Sequence, residues 1–275
     1  FHFVLVGGGP TGVELAGALA EMKRFGLPKD YPELDIDRVQ IHLLEGADRL
    51  LPAMSETASG KAQEYLENMG VRIHLQELVS EYDGQYVEIA GEQLPADHLI
   101  WTAGVGSNPP EFSQAKVFSP KNRLVVDPYH RVKEVNNVFA VGDVAQMSTP
   151  EYPDGHPMLA PVAIQQGKHL GKNLLRRLNG KPMEAFRFKN NGVMATVGRN
   201  KAVADLPKMK IWGFPAWFAW MLIHLLFLVG FRNKLVVLIN WIYSYFTYDK
   251  ALRLIIRKPK QPRSRKVEPL EQGSS

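Results

Sequence analysis

The stretch FHFVLVGGGPTGVELAG, residues 1–17, decides the fold. A short run of β-forming residues enters Gly7-Gly8-Gly9, and an apolar pattern at Val13, Leu15, Ala16, Leu19 and Ala20 leaves it at helical spacing. Gly-x-Gly-x-x-Gly at Gly7, Gly9 and Gly12 is a weak signal alone. Between a strand and a helix it denotes a dinucleotide-binding turn. The first glycine permits the tight turn, the second lets backbone approach a pyrophosphate, and the third lets helix and strand pack closely. The diphosphate then meets the amides at the positive end of the helix. Pro10 and Thr11, inside the loop, are expected to line the same site.

Working outward, VQIHLLE (39–45) reads as a second buried strand ending at Glu45. A carboxylate there accepts hydrogen bonds from ribose hydroxyls and repels a 2′-phosphate, which favours NADH over NADPH. Arg49, close by in sequence, keeps the second nucleotide in play. The glycine-to-Glu45 spacing exceeds the usual one, and a Pro- and Asp-rich loop at 26–38 accounts for it. Ser55 caps a helix to about Met69, VRIHL (71–75) is a third strand, and Asp83-Gly84 turns a hairpin. HLIWTAG (98–104) returns as a strand into a glycine turn. The order strand–helix–strand predicts a parallel, doubly wound sheet with an antiparallel flap.

Beyond residue 104 the rhythm changes. RLVVD (123–127) and NVFAVGD (137–143) read as strands, Pro161 opens a helix to about Leu178, and residues 185–206 read as a hairpin with glycines at its bends. The chain contains no cysteine, which excludes disulfides, thiolate metal sites and a dithiol redox pair in these residues. No metal cluster, carboxylate pair or Ser/His/Asp set is apparent either. The net charge of +5 is unevenly placed: residues 208–275 hold twelve Lys/Arg against three Asp/Glu, and residues 1–207 hold 21 against 25. Only the tail calls for an anionic partner.

Residues 211–231, IWGFPAWFAWMLIHLLFLVGF, contain no formal charge. Pro215 suits a helix start and Gly230 a stop. The helix between them would reach ~22 Å, short of a hydrocarbon core of roughly 30 Å. In 235–248, Leu235, Leu238, Ile239, Ile242 and Phe246 form one stripe, and Asn240, Ser244 and Thr247 the opposite one. This pattern fits a helix lying in a membrane interface. Trp212, Trp217, Trp220 and Trp241 suit the headgroup boundary, and the basic residues from Lys250 to Lys266 suit anionic lipid. A buried helical hairpin or a dimer interface is the alternative. His224, alone in an apolar helix, reads as a packing residue, with a quinone tunnel or the lipid interface as the alternative.

Several motifs together resemble one family. TAG (102–104) and VFAVGD (138–143), set behind a nucleotide-binding fold, resemble the flavoproteins with two dinucleotide-binding domains. The continuation Val13-Glu14-Leu15-Ala16 in GGGPTGVELAGALAE (7–21), the stretch APVAIQQG (160–167) and the hairpin GVMATVGRNKAVADL (192–206) resemble the type II NADH:quinone oxidoreductases. The likeness extends over nearly the whole chain. One departure is Pro161, which stands where the family's Ala-Gln-x-Ala-x-Gln motif has its first Gln.

The resemblance implies an α/β fold: a Rossmann-like NADH-binding domain (1–103), the C-terminal portion of an FAD-binding domain with the quinone-site helix and hairpin (104–207), membrane-associated helices (208–258) and a basic tail (259–275). It implies NADH on Gly7, Gly9, Pro10, Thr11, Gly12 and Glu45, with Ala103 and Gly104 at the crossover, and Glu14 orienting the nicotinamide. FAD would meet Gly142, Asp143 and Ala163, and quinone Gln165 and Gln166. The family's first glycine fingerprint is expected upstream, making these residues part of a longer protein. Two electrons would pass from NADH through FAD to quinone without proton pumping, on the cytoplasmic face of a bacterial inner or thylakoid membrane. Lipid and a second copy of the chain are the further partners, and nucleic acid is not one. Two readings compete: a naphthoquinone reductase of the same fold, and a membrane-attached NADH-binding module without redox activity. Sulfide- or disulfide-reducing relatives would need cysteines.

Overall fold

The computed structural model describes residues 1–110, 117–119 and 121–247. The chain divides into two units, Phe1–His224 and Leu225–Ser275. In the first, β1 (His2–Val6) leads through the glycine loop into α1 (Pro10–Glu21) and on to α2 (Leu27–Asp30). The strands β2 (Gln40–Glu45), β3 (Val71–Leu75) and β7 (His98–Trp101) complete a parallel sheet of order β3-β2-β1-β7. Between them lie α3 (Glu56–Asn68) and an antiparallel meander of β4 (Val79–Tyr82), β5 (Tyr86–Ile89) and β6 (Glu92–Pro95).

Strand alternation assigns the two faces of the sheet. Leu5, Ile41, Leu43 and Val71 point into one core with Val13 and Ala16 of α1 and Ala62 and Leu66 of α3. Val4, Val6 and Leu44 point the other way, against Val87, Ile89 and Ala96 of the meander. Ser55 caps α3 as expected, accepting the Ala58 N–H at 3.3 Å.

The remainder of this unit holds the pair β8 (Leu124–Val125) and β9 (Ala145–Gln146), the long helix α4 (Ala160–Leu178), and a three-stranded antiparallel sheet of β10 (Val193–Thr196), β11 (Ala202–Leu206) and β12 (Met209–Trp212). A second core gathers Val117, Leu124, Val126, Val132, Met147 and Phe186. The hairpin, expected within 104–207, buries Ala195, Val197 and Val203 in the same core as α1 and α3. Gly17 permits this approach, because a methyl group on it would lie 2.6 Å from the Gly198 nitrogen. Asp205 accepts both the N–H and the hydroxyl of Ser55, at 2.5 and 2.8 Å.

Three expectations are corrected. Residues 137–143 form no regular strand. With positive φ at Glu134 (63°) and Asn137 (58°), the chain turns too tightly for a ladder, and one bridge, Arg131 to Phe139, joins it to the preceding segment. The loop expected at 26–38 is partly helical: a π-turn at Met22–Gly26 carries α1 into α2, and Asp35 caps a short turn at Ile36–Arg38. The helices expected over 208–258 begin only at Phe214, because Met209–Trp212 pairs with β11 as the third strand of the hairpin sheet, with Trp212 at its end.

That helix, α5 (Phe214–Phe227), starts against the hairpin sheet, where Ala216 is buried with Ala202 and Ala204. His224 stacks on Trp220, ring centroids 4.0 Å apart, and its Nδ1 lies 2.8 Å from the Trp220 carbonyl oxygen. In the second unit, α6 (Phe231–Thr247) starts right after Gly230, four residues earlier than read from the sequence. Lys234, in the first turns of α6, extends its ammonium to the Leu226 carbonyl at 2.8 Å. Leu235, Ile239, Ile242 and Phe246 are exposed. Among the described residues no helix is long and apolar enough to cross a membrane. The basic tail read from Lys250 onward lies outside the described residues.

Candidate functional site

The glycine loop is built by steric exclusion. Gly7 has φ +110°, and a Cβ there would lie 2.7 Å from the Ala103 nitrogen. On Gly12 a Cβ would meet the Gly7 carbonyl oxygen at 1.8 Å. Gly9 has open space over its Cβ position. Two glycines therefore let protein pack on protein, and the third leaves room for a ligand. Gly9 is also the N-cap of α1, and it offers no side-chain acceptor to the first-turn amides. Pro10 occupies the first helical position, and Thr11 is exposed beside it. An anion is the natural partner for such a terminus, so these residues fit a pyrophosphate.

Supporting groups hold the loop in place. The Gly7 N–H donates to Leu44 at 2.8 Å. The Thr102 hydroxyl lies 2.9 Å from the Val6 carbonyl and 3.0 Å from that of Gly7. Glu45 works inside the loop: its carboxylate accepts the Gly8 N–H at 2.6 Å and the Ala47 N–H at 2.8 Å. A carboxylate has acceptor capacity beyond two bonds, so a ribose hydroxyl remains within its chemistry. Arg49 is turned to Glu56 at 3.5 Å and to the Pro52 carbonyl at 3.3 Å. Glu14 accepts the Thr196 N–H at 3.2 Å, tying α1 to the hairpin. Ala103 backs Gly7 and accepts the Trp101 indole N–H at 2.8 Å, while Gly104 (φ +69°) lies in open space.

The second group surrounds Gly142. Its φ of +71° favours glycine, and a Cβ would lie 3.3 Å from that of Ala163 on α4. The Gly142 N–H donates to Gln166 Oε1 at 2.7 Å. Asp143 is exposed at the turn, and its carbonyl accepts from Arg123 Nε at 3.1 Å. The Arg123 guanidinium also donates to the carbonyls of Ala145 and His156. Burial lowers the affinity of Arg123 for its proton, and the Asp143 charge opposes that shift. The sequence reading missed Arg123: a lone arginine ahead of a short strand shows nothing of partners 20 and 33 residues away.

The two glutamines expected at a quinone are both engaged with backbone. Gln165 is clasped at both ends by Lys189, donating to its carbonyl at 2.9 Å and accepting its N–H at 3.0 Å. Gln166 is fully buried against the Gly142 turn. Pro161 is exposed in the first turn of α4. The site residues thus form two clusters, one around Gly7, Gly12, Glu45 and Ala103 and one around Gly142, Ala163 and Gln166. Among the described residues no hydrogen bond joins them, and no group of His, Cys, Asp and Glu could hold a metal ion.

Residues 2–167 match the family model described as pyridine nucleotide-disulphide oxidoreductase, and residues 190–248 match that of the NDH2 C-terminal domain. The chain is 35% identical over 260 residues to the type II NADH:quinone oxidoreductase NdhA of Mycobacterium tuberculosis, covering 88% of this chain and 53% of that protein. It is 33% identical over 264 residues to the internal alternative NAD(P)H-ubiquinone oxidoreductase A1, mitochondrial, of Arabidopsis thaliana, covering 89% and 51%. The chain thus spans about half the length of the curated relatives it matches. In fold it is similar to the structure of NDH2 from Plasmodium falciparum in complex with NADH, with a TM-score of 0.79 at 18% identity, covering 90% of this chain and 66% of that one. Family models over most of the length and relatives above 30% identity give one answer: the chain belongs to the pyridine nucleotide-disulphide oxidoreductases and, among them, to the type II NADH:quinone oxidoreductase family.

Proposed function

We propose that the chain takes part in a flavin-dependent oxidation of NADH coupled to reduction of a quinone at a membrane surface. The observation that carries this reading is the presence of two glycine-built corners in one chain, one at an uncapped helix terminus and one clamped against α4. NADH is assigned to Gly7, Gly9, Pro10, Thr11 and Gly12, with Glu45 at the ribose and Ala103 and Gly104 flanking. FAD is assigned to Gly142, Asp143 and Ala163. The fit is chemical: a first turn without a side-chain acceptor and with open space over Gly9 suits a diphosphate, and the exposed Asp143 on the Gly142 turn offers acceptors to the hydroxyls of a second nucleotide.

Bound FAD would supply the redox chemistry, taking a hydride from the nicotinamide and passing electrons on. The protein's groups bind, orient and exclude water. Glu14 carries the orienting role at the nicotinamide. Its bond to Thr196 engages one oxygen and fixes the carboxylate. Of the two glutamines, Gln165 retains accessible surface and is the one assigned to quinone. The exposed apolar side chains of Phe218 and Leu222 on α5 and of Ile239 and Phe246 on α6 support attachment to lipid without a span. The cytoplasmic face of a bacterial inner or thylakoid membrane and pairing with a second copy complete the reading.

Turnover of the purified protein tests it. NADH consumption should depend on added quinone, leave the medium without a proton gradient in sealed vesicles, and co-sediment with anionic vesicles. NADH binding without quinone-dependent consumption would favour the redox-inactive module instead.

A further inference from the structure

Trp101 closes β7 level with Val6, the residue that leads into the glycine loop. Leu99, two residues earlier on the same face, packs into the core with Val4 and Val6. Trp101 lies past the edge of that core and is 58% exposed, so burial does not account for it. What holds it is one directional contact: its indole N–H donates to the Ala103 carbonyl at 2.8 Å. The last ladder bond on this edge runs from the Thr102 N–H to the Val6 carbonyl at 2.8 Å. Beyond it the Ala103–Gly104 peptide has no ladder partner among the described residues, and the indole sets its plane. In a trans peptide the N–H points opposite to the carbonyl, so pinning the Ala103 oxygen aims the Gly104 N–H the other way. That N–H has no acceptor among the described residues, and Gly104 is exposed with open space over it.

The strand order β3-β2-β1-β7 puts the topological switch point between β1 and β7, where an α/β sheet opens a crevice at its carboxyl edge. Glu45 ends β2 on one side of β1, the Gly9 terminus of α1 follows β1, and Gly104 follows β7 on the other side. A dinucleotide with its adenosine ribose at Glu45 and its diphosphate at Gly9 therefore extends its nicotinamide nucleoside toward Gly104. We propose that Trp101 is a positioning residue for the nicotinamide half of NADH: its indole N–H locks the Ala103–Gly104 peptide so that the Gly104 N–H meets an oxygen of that nucleoside. The inference rests on the assignment of NADH to the glycine loop made above, and it gives a task to a side chain which that reading leaves without one.

Two substitutions separate the donor from the ring. Trp101→Phe keeps an aromatic surface and removes the N–H, and Trp101→Leu removes both. The side chain is exposed, so neither change empties a core. Affinities for NADH and for ADP are measured by calorimetric titration of the purified protein. ADP carries the adenosine and the diphosphate but no nicotinamide nucleoside, so it reports the glycine loop alone. We expect both variants to bind NADH about fivefold more weakly than the parent, the loss of one hydrogen bond, and to bind ADP as the parent does. Loss of NADH affinity in Trp101→Leu alone would assign the effect to the ring surface and overturn the inference. Unchanged NADH affinity in both variants would overturn it too. So would equal weakening of NADH and ADP, which would make Trp101 a general support of the loop. A parent protein that binds neither NADH nor ADP would overturn the assignment of NADH to the glycine loop itself.

Discussion

Gly12 and Gly7 are packed so closely that a methyl group on Gly12 would lie 1.8 Å from the Gly7 carbonyl oxygen. That oxygen also lies 3.0 Å from the Thr102 hydroxyl, so the loop has no slack on either side. A Gly12→Ala variant must displace the loop or the start of α1, at a cost on the order of 3 kcal/mol. Calorimetric titration with NADH should show at least a hundredfold loss of affinity. Affinity within threefold of the parent would mean that this turn does not hold the nucleotide.

Acid should loosen the protein through two histidine pairs. His42 Nδ1 lies 3.1 Å from His74 Nε2, and His130 Nε2 lies 3.1 Å from His169 Nδ1. Each contact needs one ring nitrogen without a proton. Burial, with the neighbouring His74, Arg72 and His2 charges, lowers His42 to about 4. Burial and His169 lower His130 to about 4, against the opposing pull of Asp127. The unfolded chain therefore binds more protons between pH 4 and 6.5, and folding stability falls as pH drops through that window. The loss is up to about 3 kcal/mol per group. Urea denaturation at neutral pH and near pH 5 measures it, and His42→Asn with His130→Gln should flatten the dependence.

Much of this was legible in the sequence, and the pattern of success has a physical cause. The glycine loop, the Ser55 cap and the Asp83-Gly84 turn are local devices, each written in a few adjacent residues. The failures depend on distant partners. Nothing in NVFAVGD announces the turns at Glu134 and Asn137 that prevent a ladder. Nothing in Gln166 announces that its amide reaches a glycine 24 residues earlier. Gly17 reads as a small residue in a helix, and only the fold reveals the hairpin pressed against it.

That hairpin is fastened by acidic residues. Asp205 takes two hydrogen bonds from Ser55, and Glu21 accepts the Arg199 N–H. Asp205→Ala leaves the Ser55 amide and hydroxyl without this acceptor and should cost about 2 kcal/mol of stability, read as a lower urea midpoint. An unchanged midpoint would show that the hairpin is held by its apolar contacts alone.

Arg123 holds three backbone carbonyls around the Gly142 turn from a nearly fully buried position. Arg123→Met preserves much of its bulk and leaves those carbonyls unpaired, at about 1–3 kcal/mol for each bond that water cannot replace. Flavin release on dilution should accelerate, while NADH binding to the glycine loop should stay within twofold of the parent. Equal loss of both nucleotides would indicate general unfolding.

The central claim is that electrons pass between two nucleotides held by one protein and then on to a quinone. An anaerobic titration of the purified holoprotein, followed by its visible absorbance, tests this most directly. The account predicts a yellow protein that one equivalent of NADH bleaches and one equivalent of quinone restores. A protein that binds NADH yet shows no flavin absorbance, or whose flavin stays oxidised under excess NADH, would contradict it.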